Sequence, residues 1–113
     1  MEMIEISSIP PFDKEFKRLN KKYKSLLKDI YQLREDLKKN PSLGTDLGKG
    51  VRKVRMAITA KGKGKSHGAR IITYTDALFG VEDGKLILFF IYDKAERDTI
   101  SDKEIEALLQ YIQ

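Results

Sequence analysis

A run of seven consecutive apolar residues near the C-terminus, Leu86–Tyr92, places the strongest constraint on the fold. It is far too short to cross a membrane as a helix, which takes about 20 apolar residues. Its length and its content of Ile and Phe are typical of a strand. Because an uninterrupted apolar strand has no polar face to offer to water, we expect Lys85–Tyr92 to be a central strand that is buried on both faces.

Apolar residues recur at helical spacing between Phe12 and Leu37, separated alternately by four and three positions. Two interpretations remain open for this stretch. One is a single long helix with a coiled-coil seam. The other is an antiparallel helical hairpin that breaks near Lys22–Ser25, with Ser25 as an N-cap. We favour the hairpin, because a domain of 113 residues has little use for a long free helix.

Prolines mark both ends of this helical region. Pro10-Pro11 suits the first turn of a helix, where the missing N–H has no partner to lose. Asn40-Pro41 ends the second helix, because proline biases the residue before it away from helical geometry. Glu2–Ser7, ahead of the helices, is predicted to form a short first strand. Leu43–Gly50, behind them, is predicted to be a glycine-rich loop.

The rest of the chain alternates strands with turns and ends in a helix. The predicted strands are Val51–Ala60, with Val54, Met56, Ile58 and Arg52 on one side, then Ala69–Thr75 and Lys85–Tyr92; the predicted turns are a hairpin tip at Lys61–Gly68 and a turn at Glu82-Asp83-Gly84. Ser101-Asp102-Lys103-Glu104 is a capping box, and Ile100 and Ile105 are placed as a hydrophobic staple.

The order of elements is therefore β-α-α-β-β-β-α, in one α+β domain that spans residues 1–113. The chain has no cysteine and one histidine, His67, which excludes disulfides, thiolate zinc sites and multi-histidine metal sites. Gly62-Lys63-Gly64-Lys65-Ser66 lacks the earlier glycine of a phosphate-binding Walker loop and lies between strands. No metal and no cofactor is expected. The acidic N-terminus is unlike a signal peptide, so we expect a cytoplasmic protein.

The positive charge is concentrated in one segment. The chain carries a net charge of +5, and between Leu47 and Thr75 it has eight lysines and arginines but no Asp or Glu. A segment of this kind favours a polyanion as partner. Within it, Lys53 and Arg55 share one face of a strand, and Arg70 begins the strand that should pair with it. Three cations gathered in this way repel one another unless an anion neutralises them.

These residues resemble the RelE/ParE superfamily of bacterial toxins, and most closely its HigB-like group. The resemblance rests on three segments, followed by a serine-capped helix: Gly50–Arg55, the Lys-Gly-Lys-Gly-Lys hairpin within Lys61–Tyr74, and Phe90–Lys94. It implies a small twisted antiparallel sheet with an N-terminal helical hairpin on one face. It also implies the toxin of a type II toxin–antitoxin pair, a metal-free endoribonuclease that cleaves messenger RNA on the ribosome and is inhibited by a cognate antitoxin protein.

By position, the resemblance implies catalytic roles for Lys53, Arg55 and Arg70, with Lys94 near a later basic position of the family. RelE also has a functional tyrosine in its C-terminal segment, roughly where Ser101 stands here. Tyr92, Tyr111 and residues of other types all remain candidates for that role. ParE-type relatives share the fold but inhibit DNA gyrase, and fold alone does not separate the two. A non-catalytic nucleic-acid-binding module is the other alternative.

The chemistry of metal-free RNA cleavage suggests a role for each residue. The ribose 2′-OH must lose a proton, the leaving 5′ oxygen must gain one, and charge on phosphorus must be stabilised. Lys53 is the expected base, because neighbouring cations favour its neutral amine; Arg55 and Arg70 would hold the phosphate. Lys94 or Tyr92 would serve the leaving group. The expected RNA-binding residues are Lys49, Arg52, Lys61, Lys63 and Lys65.

Overall fold

The computed structural model describes residues 4–75 and 84–112 and has an α+β fold, as predicted. Its strands and helices, in chain order, are β1 (Glu5–Ser8), α1 (Pro10–Lys22), α2 (Leu26–Lys39), β2 (Thr45–Gly48), β3 (Val51–Met56), β4 (Ala69–Thr75), β5 (Lys85–Asp93) and α3 (Asp102–Leu109). The strands form one sheet in the order β1-β5-β4-β3-β2.

The apolar run Lys85–Tyr92 forms an internal strand, β5, between β1 and β4. Leu86, Leu88 and Ile91 belong to the core on one face of the sheet, and Phe89 and Tyr92 belong to the core on the other face. The prediction of a strand buried on both faces is therefore confirmed. Because side chains alternate along a strand, residues of β3 and β4 also divide into two sets, one on each covered face of the sheet.

Two features of the sheet differ from the prediction. β1 runs parallel to β5, so the sheet is mixed rather than wholly antiparallel. The reason is that helices, and not a tight hairpin turn, follow β1, so nothing forces it to run antiparallel to its neighbour. In addition, the predicted loop Leu43–Gly50 contains the edge strand β2, which pairs with β3. Its four residues are all exposed, so it has no apolar alternation that would reveal a strand.

The helical hairpin is confirmed, and it covers one face of the sheet. α1 ends at Lys22 and α2 begins at Leu26, with Ser25 at the N-cap position. The Ser25 hydroxyl makes no cap bond to its own helix; it donates to Asp29 and accepts from the Ala60 N–H. The buried apolar residues of the two helices pack against β3, β4 and β5. They are Phe12, Leu19, Leu26, Ile30, Leu33 and Leu37.

α3 covers part of the opposite face, where it packs through Leu108 and Leu109 against β3, β4 and β5. Its capping box is confirmed: the Ser101 hydroxyl accepts from the Glu104 N–H at 3.1 Å, and the Glu104 carboxylate accepts from the Ser101 N–H at 3.0 Å. Ile100 and Ile105, the predicted staple, lie in the same apolar cluster.

Ser101→Ala is expected to destabilise the protein by about 1 kcal/mol, because it removes one half of the capping box. The free energy of unfolding, taken from urea titrations, measures the effect. Ser42→Ala is the matched control, since Ser42 is exposed and lies outside the helices. Equal values for the two variants would show that the cap contributes nothing.

The connection between β3 and β4 is more structured than the predicted hairpin tip. β3 ends at Met56, and two short 3-10 turns follow, Thr59–Lys61 and Lys65–His67. Gly68 ends the connection at a point where its backbone passes close to the backbone of Met56. A Cβ atom at this position would lie 2.1 Å from the Met56 carbonyl oxygen. The tip is therefore held close to the sheet, which fixes where its lysines can lie.

Two predicted elements lie partly outside the described residues. Glu82 and Asp83 of the predicted turn lie outside the described residues, as do the first residues of the predicted strand Glu2–Ser7. Within residues 4–75 and 84–112, no helix has the length and apolar character that crossing a membrane requires.

Candidate cation site on the sheet

Strand pairing brings three cationic side chains to the face of the sheet that carries α3. The register places Arg55 of β3 directly opposite Arg70 of β4, and Arg70 directly opposite Tyr92 of β5. Lys53 lies two residues before Arg55, on the same face, opposite Ile72. We call Lys53, Arg55 and Arg70 the cation row. Directly opposed residues have Cβ atoms about 5 Å apart, so like charges here repel.

No carboxylate neutralises the cation row by direct contact within the described parts of the chain. Glu96 and Asp98, which follow β5, pair elsewhere: Glu96 binds Arg18 and Lys22, and Asp98 binds Lys94. Lys53 acts on Asp98 only as a more distant charge, which helps to lower the pKa of that carboxyl after the larger effect of its bond to Lys94. An unneutralised Arg–Arg pair is a favourable place for an external anion.

The three members of the cation row differ in exposure. Arg55 is exposed and Lys53 is partly exposed, whereas Arg70 is only 6% exposed. The Arg70 guanidinium donates to the carbonyl oxygens of Lys65 (3.1 Å), Ser66 (3.4 Å) and Ala69 (3.2 Å). These bonds use three of its five N–H donors. Arg70 therefore holds the turn at Lys65–His67, and only its remaining donors are available to an anion.

Tyr92 is buried beside Arg70, with 2% of its surface exposed, and its hydroxyl has no hydrogen-bond partner in the described part of the chain. Burial raises the pKa of Tyr92, although the positive charges of Arg70, Lys94 and Arg97 act against this effect. The Arg97 guanidinium lies over the Tyr92 ring at 5.4 Å and is held by both oxygens of Glu104. The Tyr92 hydroxyl can therefore donate a proton only to a group that reaches it past the Arg97 side chain.

Lys94 lies just beyond the end of β5, where its N–H donates to the Gly68 carbonyl. Its ammonium donates to the Asp98 carboxylate at 2.7 Å and to the Asp98 carbonyl at 2.8 Å. One of its three donors is left by these bonds. Lys94 is therefore anchored near the cation row rather than freely mobile, but it retains a positive charge that faces the tip.

The residues predicted to bind RNA occupy different environments. Lys63 and Lys65 are exposed at the tip, and no carboxylate within the described ranges pairs with them. Lys49 is exposed but pairs with Glu106 at 2.5 Å. Arg52 lies on the face of the helical hairpin, as its position in β3 predicts, and donates to the Thr75 hydroxyl at 2.7 Å. Lys61 is largely buried and pairs with Asp93 at 2.5 Å.

The network around Asp93, whose side chain is fully buried, is a feature that sequence reasoning missed. Its carboxylate accepts from the Lys61 ammonium, from the Tyr23 hydroxyl at 2.5 Å and from the Ala95 N–H at 2.9 Å. Burial by itself raises the pKa of Asp93, but the bonds from Lys61 and Tyr23 outweigh it, and the pKa is lowered. The network ties α1, the tip and β5 together. A lone Asp after an apolar strand was its only signal.

Two cavities border the site. A cleft of about 480 Å³ lies between α2 and the outer edge of β3, and it reaches Lys53, Arg55 and Lys65 on one side and Asp29 and Asp36 on the other. A smaller cavity of about 320 Å³ lies at the tip. In the described residues there is no group of three or more His, Asp or Glu side chains that could hold a metal ion.

Comparison with protein-family models finds no match for this chain, and comparison with curated proteins finds no relative.

Proposed function

We propose that the protein is a metal-independent endoribonuclease that cleaves messenger RNA on the ribosome and acts as the toxin of a type II toxin–antitoxin pair. The observation that carries this proposal is the cation row: Arg55 faces Arg70 across two paired strands, with Lys53 on the same face and no carboxylate contact in the described chain. A phosphodiester is an anion that such a row can neutralise, and it is also the group that a ribonuclease must bind.

The chemistry needed is supplied by residues that differ in exposure. Arg55, which is exposed, binds the phosphate oxygens and stabilises the charge that develops on phosphorus, since a guanidinium remains charged throughout. Lys53, two residues away on the same face, is the proposed base for the 2′-OH. Arg70 contributes charge and its remaining N–H donors while it holds the turn at Lys65–His67 in place.

The proton for the leaving 5′ oxygen comes from Lys94 or Tyr92 in this proposal. Lys94 is more accessible, because the Tyr92 hydroxyl is buried and Arg97 lies over its ring. Lys63 and Lys65 supply contacts to the RNA backbone that do not depend on sequence. The proposed partners are messenger RNA, the ribosome and an inhibitory antitoxin protein, and the proposed location is the cytoplasm, where ribosomes translate.

A second candidate is a nucleic-acid-binding module that does not cleave. The burial of Arg70 and of the Tyr92 hydroxyl favours this candidate, because both residues are less available to a substrate than a catalytic group should be. Binding would still use Lys53, Arg55 and the exposed tip lysines. The two candidates differ only in whether the bound phosphodiester is broken.

Primer extension on a message under translation tests the proposal. Adding the purified protein is expected to produce new 5′ ends within the reading frame. If the protein also cuts RNA without ribosomes, that cleavage is expected to continue in EDTA, because it needs no metal ion. Intact message with bound protein would support the second candidate. Arrest of DNA replication before translation in expressing cells would instead indicate gyrase inhibition.

A further inference from the structure

The cavity of about 320 Å³ at the tip is lined by Lys61, Lys63, His67, Lys94 and Ala95. Among the described residues, its polar and charged side chains come from three lysines and a histidine, and none is a carboxylate. Its volume lies at the small end of ligand pockets, which range from about 300 to 1,000 Å³. We call it the tip pocket. It is large enough for a phosphate with part of its sugar.

The two ion pairs at the tip pocket are arranged in the same way. Lys61 pairs with Asp93, and Lys94 pairs with Asp98. In both pairs the lysine lines the cavity and the aspartate does not. Each lysine therefore contributes to the cavity wall while an aspartate outside that wall holds its ammonium group. Lys63 and His67, both exposed, add groups that can turn towards a ligand.

The tip pocket and the cation row lie on adjoining parts of the β4–β5 strand pair. The Arg70–Tyr92 pair is followed along the β4–β5 ladder by the Ala69–Asp93 pair, and then by Gly68 beside Lys94. Lys94 follows Tyr92 by two residues, directly after β5 ends at Asp93. Arg70 also binds the carbonyls of Lys65 and Ser66, directly before His67. Both sites are thus built on the same backbone.

We propose that the tip pocket is a second phosphate subsite, which binds the backbone phosphate next to the one held by the cation row. The inference rests on the proposed function for the identity of its ligand as RNA. A single RNA strand carries one phosphate per nucleotide, so a strand anchored at the cation row presents further phosphates to the neighbouring surface. Binding two of them fixes the direction of the strand as well as its position, which one phosphate contact alone does not do.

In this subsite Lys94 is a phosphate ligand, so of the two proposed proton donors to the leaving 5′ oxygen Tyr92 remains. Its ammonium keeps one donor after binding Asp98, and Lys94 lines the tip pocket. The subsite also assigns a use to His67, whose ring N–H can donate to a phosphate oxygen, without a part in proton transfer to RNA. Lys61 supplies a fixed wall, because Asp93 and the His67 carbonyl hold its ammonium.

NMR titration of the full chain with a 2′-O-methyl RNA tetranucleotide tests this inference, because such an RNA can bind but cannot be cleaved through its 2′ oxygen. Without a terminal phosphate, it is expected to shift the amide signals of His67, Gly68 and Ala95 together with those of Arg55. Lys63→Gln is expected to weaken binding about three- to tenfold. Lys17→Gln, the same change on the exposed surface of α1, is expected to leave it unchanged.

Inorganic phosphate and a 5′-phosphorylated form of the same RNA distinguish the sources of the phosphate. Binding at the tip only when a free or terminal phosphate is present would overturn the proposed backbone subsite. Shifts confined to β3, or equal affinities for Lys63→Gln and Lys17→Gln, would also overturn it. Because the RNA is not cleavable, loss of the tip signals is distinct from a failure of catalysis, which primer extension reports separately.

Discussion

Arg55→Ala is expected to reduce cleavage of a translated message by at least about 100-fold, the loss typical of removing one group that stabilises transition-state charge. Arg55 is the exposed member of the cation row and has no ion pair in the described residues, so its replacement removes a phosphate contact without opening the core. The rate of appearance of new 5′ ends in primer extension measures the effect, and the urea midpoint checks the fold.

The control for this prediction is Arg34→Ala, which removes an equal charge from the exposed surface of α2 on the other side of the sheet. It is expected to cleave like the unaltered protein. Arg70→Ala is a poorer test, because it also removes three bonds to the turn at Lys65–His67. Undiminished cleavage by a folded Arg55→Ala protein would contradict a catalytic role for the cation row.

Asp93→Asn is expected to destabilise the protein by about 3–5 kcal/mol, because it removes the charge that pairs with the largely buried Lys61. The free energy of unfolding in urea measures this loss. If Asp93→Asn does not fold, Tyr23→Phe still tests the network: it deletes one bond to the same carboxylate and is expected to cost about 1.5–3 kcal/mol. The control is Asp98→Asn, since Asp98 is 96% exposed and its pairing with Lys94 should contribute little.

The same network predicts a pH dependence. The pKa of Asp93 is lower in the folded protein than in the unfolded chain, so the ionised carboxylate stabilises the fold. This contribution is complete above the unfolded value of about 3.9 and is lost as the pH falls through the lower folded value. Urea midpoints between pH 3 and pH 6 should therefore fall more steeply for the unaltered protein than for Asp93→Asn. Parallel curves would contradict the assignment.

Much of the fold follows from patterns within short stretches of sequence. The apolar run in β5, the helical spacing from Phe12 to Leu37 and the capping box at Ser101 each predict an element that the structure contains. The alternation of side chains along Val51–Met56 also predicts that Lys53 and Arg55 share a face. Such patterns are readable because burial on one side of an element repeats with the period of its own backbone.

The features that the patterns did not predict are set by strand pairing, turn geometry and packing, which leave no periodic trace in the sequence. β2 has no alternation, because all of its residues are exposed, and β1 pairs in parallel with a strand about 80 positions further along the chain. Arg70 was expected to be available to an anion, but it is buried and its guanidinium donates to the Lys65 carbonyl in the backbone of the turn at Lys65–His67. Lys61 was expected to contact RNA, but it pairs with a buried carboxylate.

Sequence alone determined the α+β class, the two-helix layer, the internal strand β5 and the concentration of positive charge between Leu47 and Thr75. Only the tertiary structure decided which of those charges are exposed, which are tied to carboxylates, and that Tyr23, Lys61 and Asp93 meet in one buried network. The physical reason is that a side chain's exposure and ionic partners are set by the packing of distant segments, whereas its local conformation is set largely by its immediate neighbours.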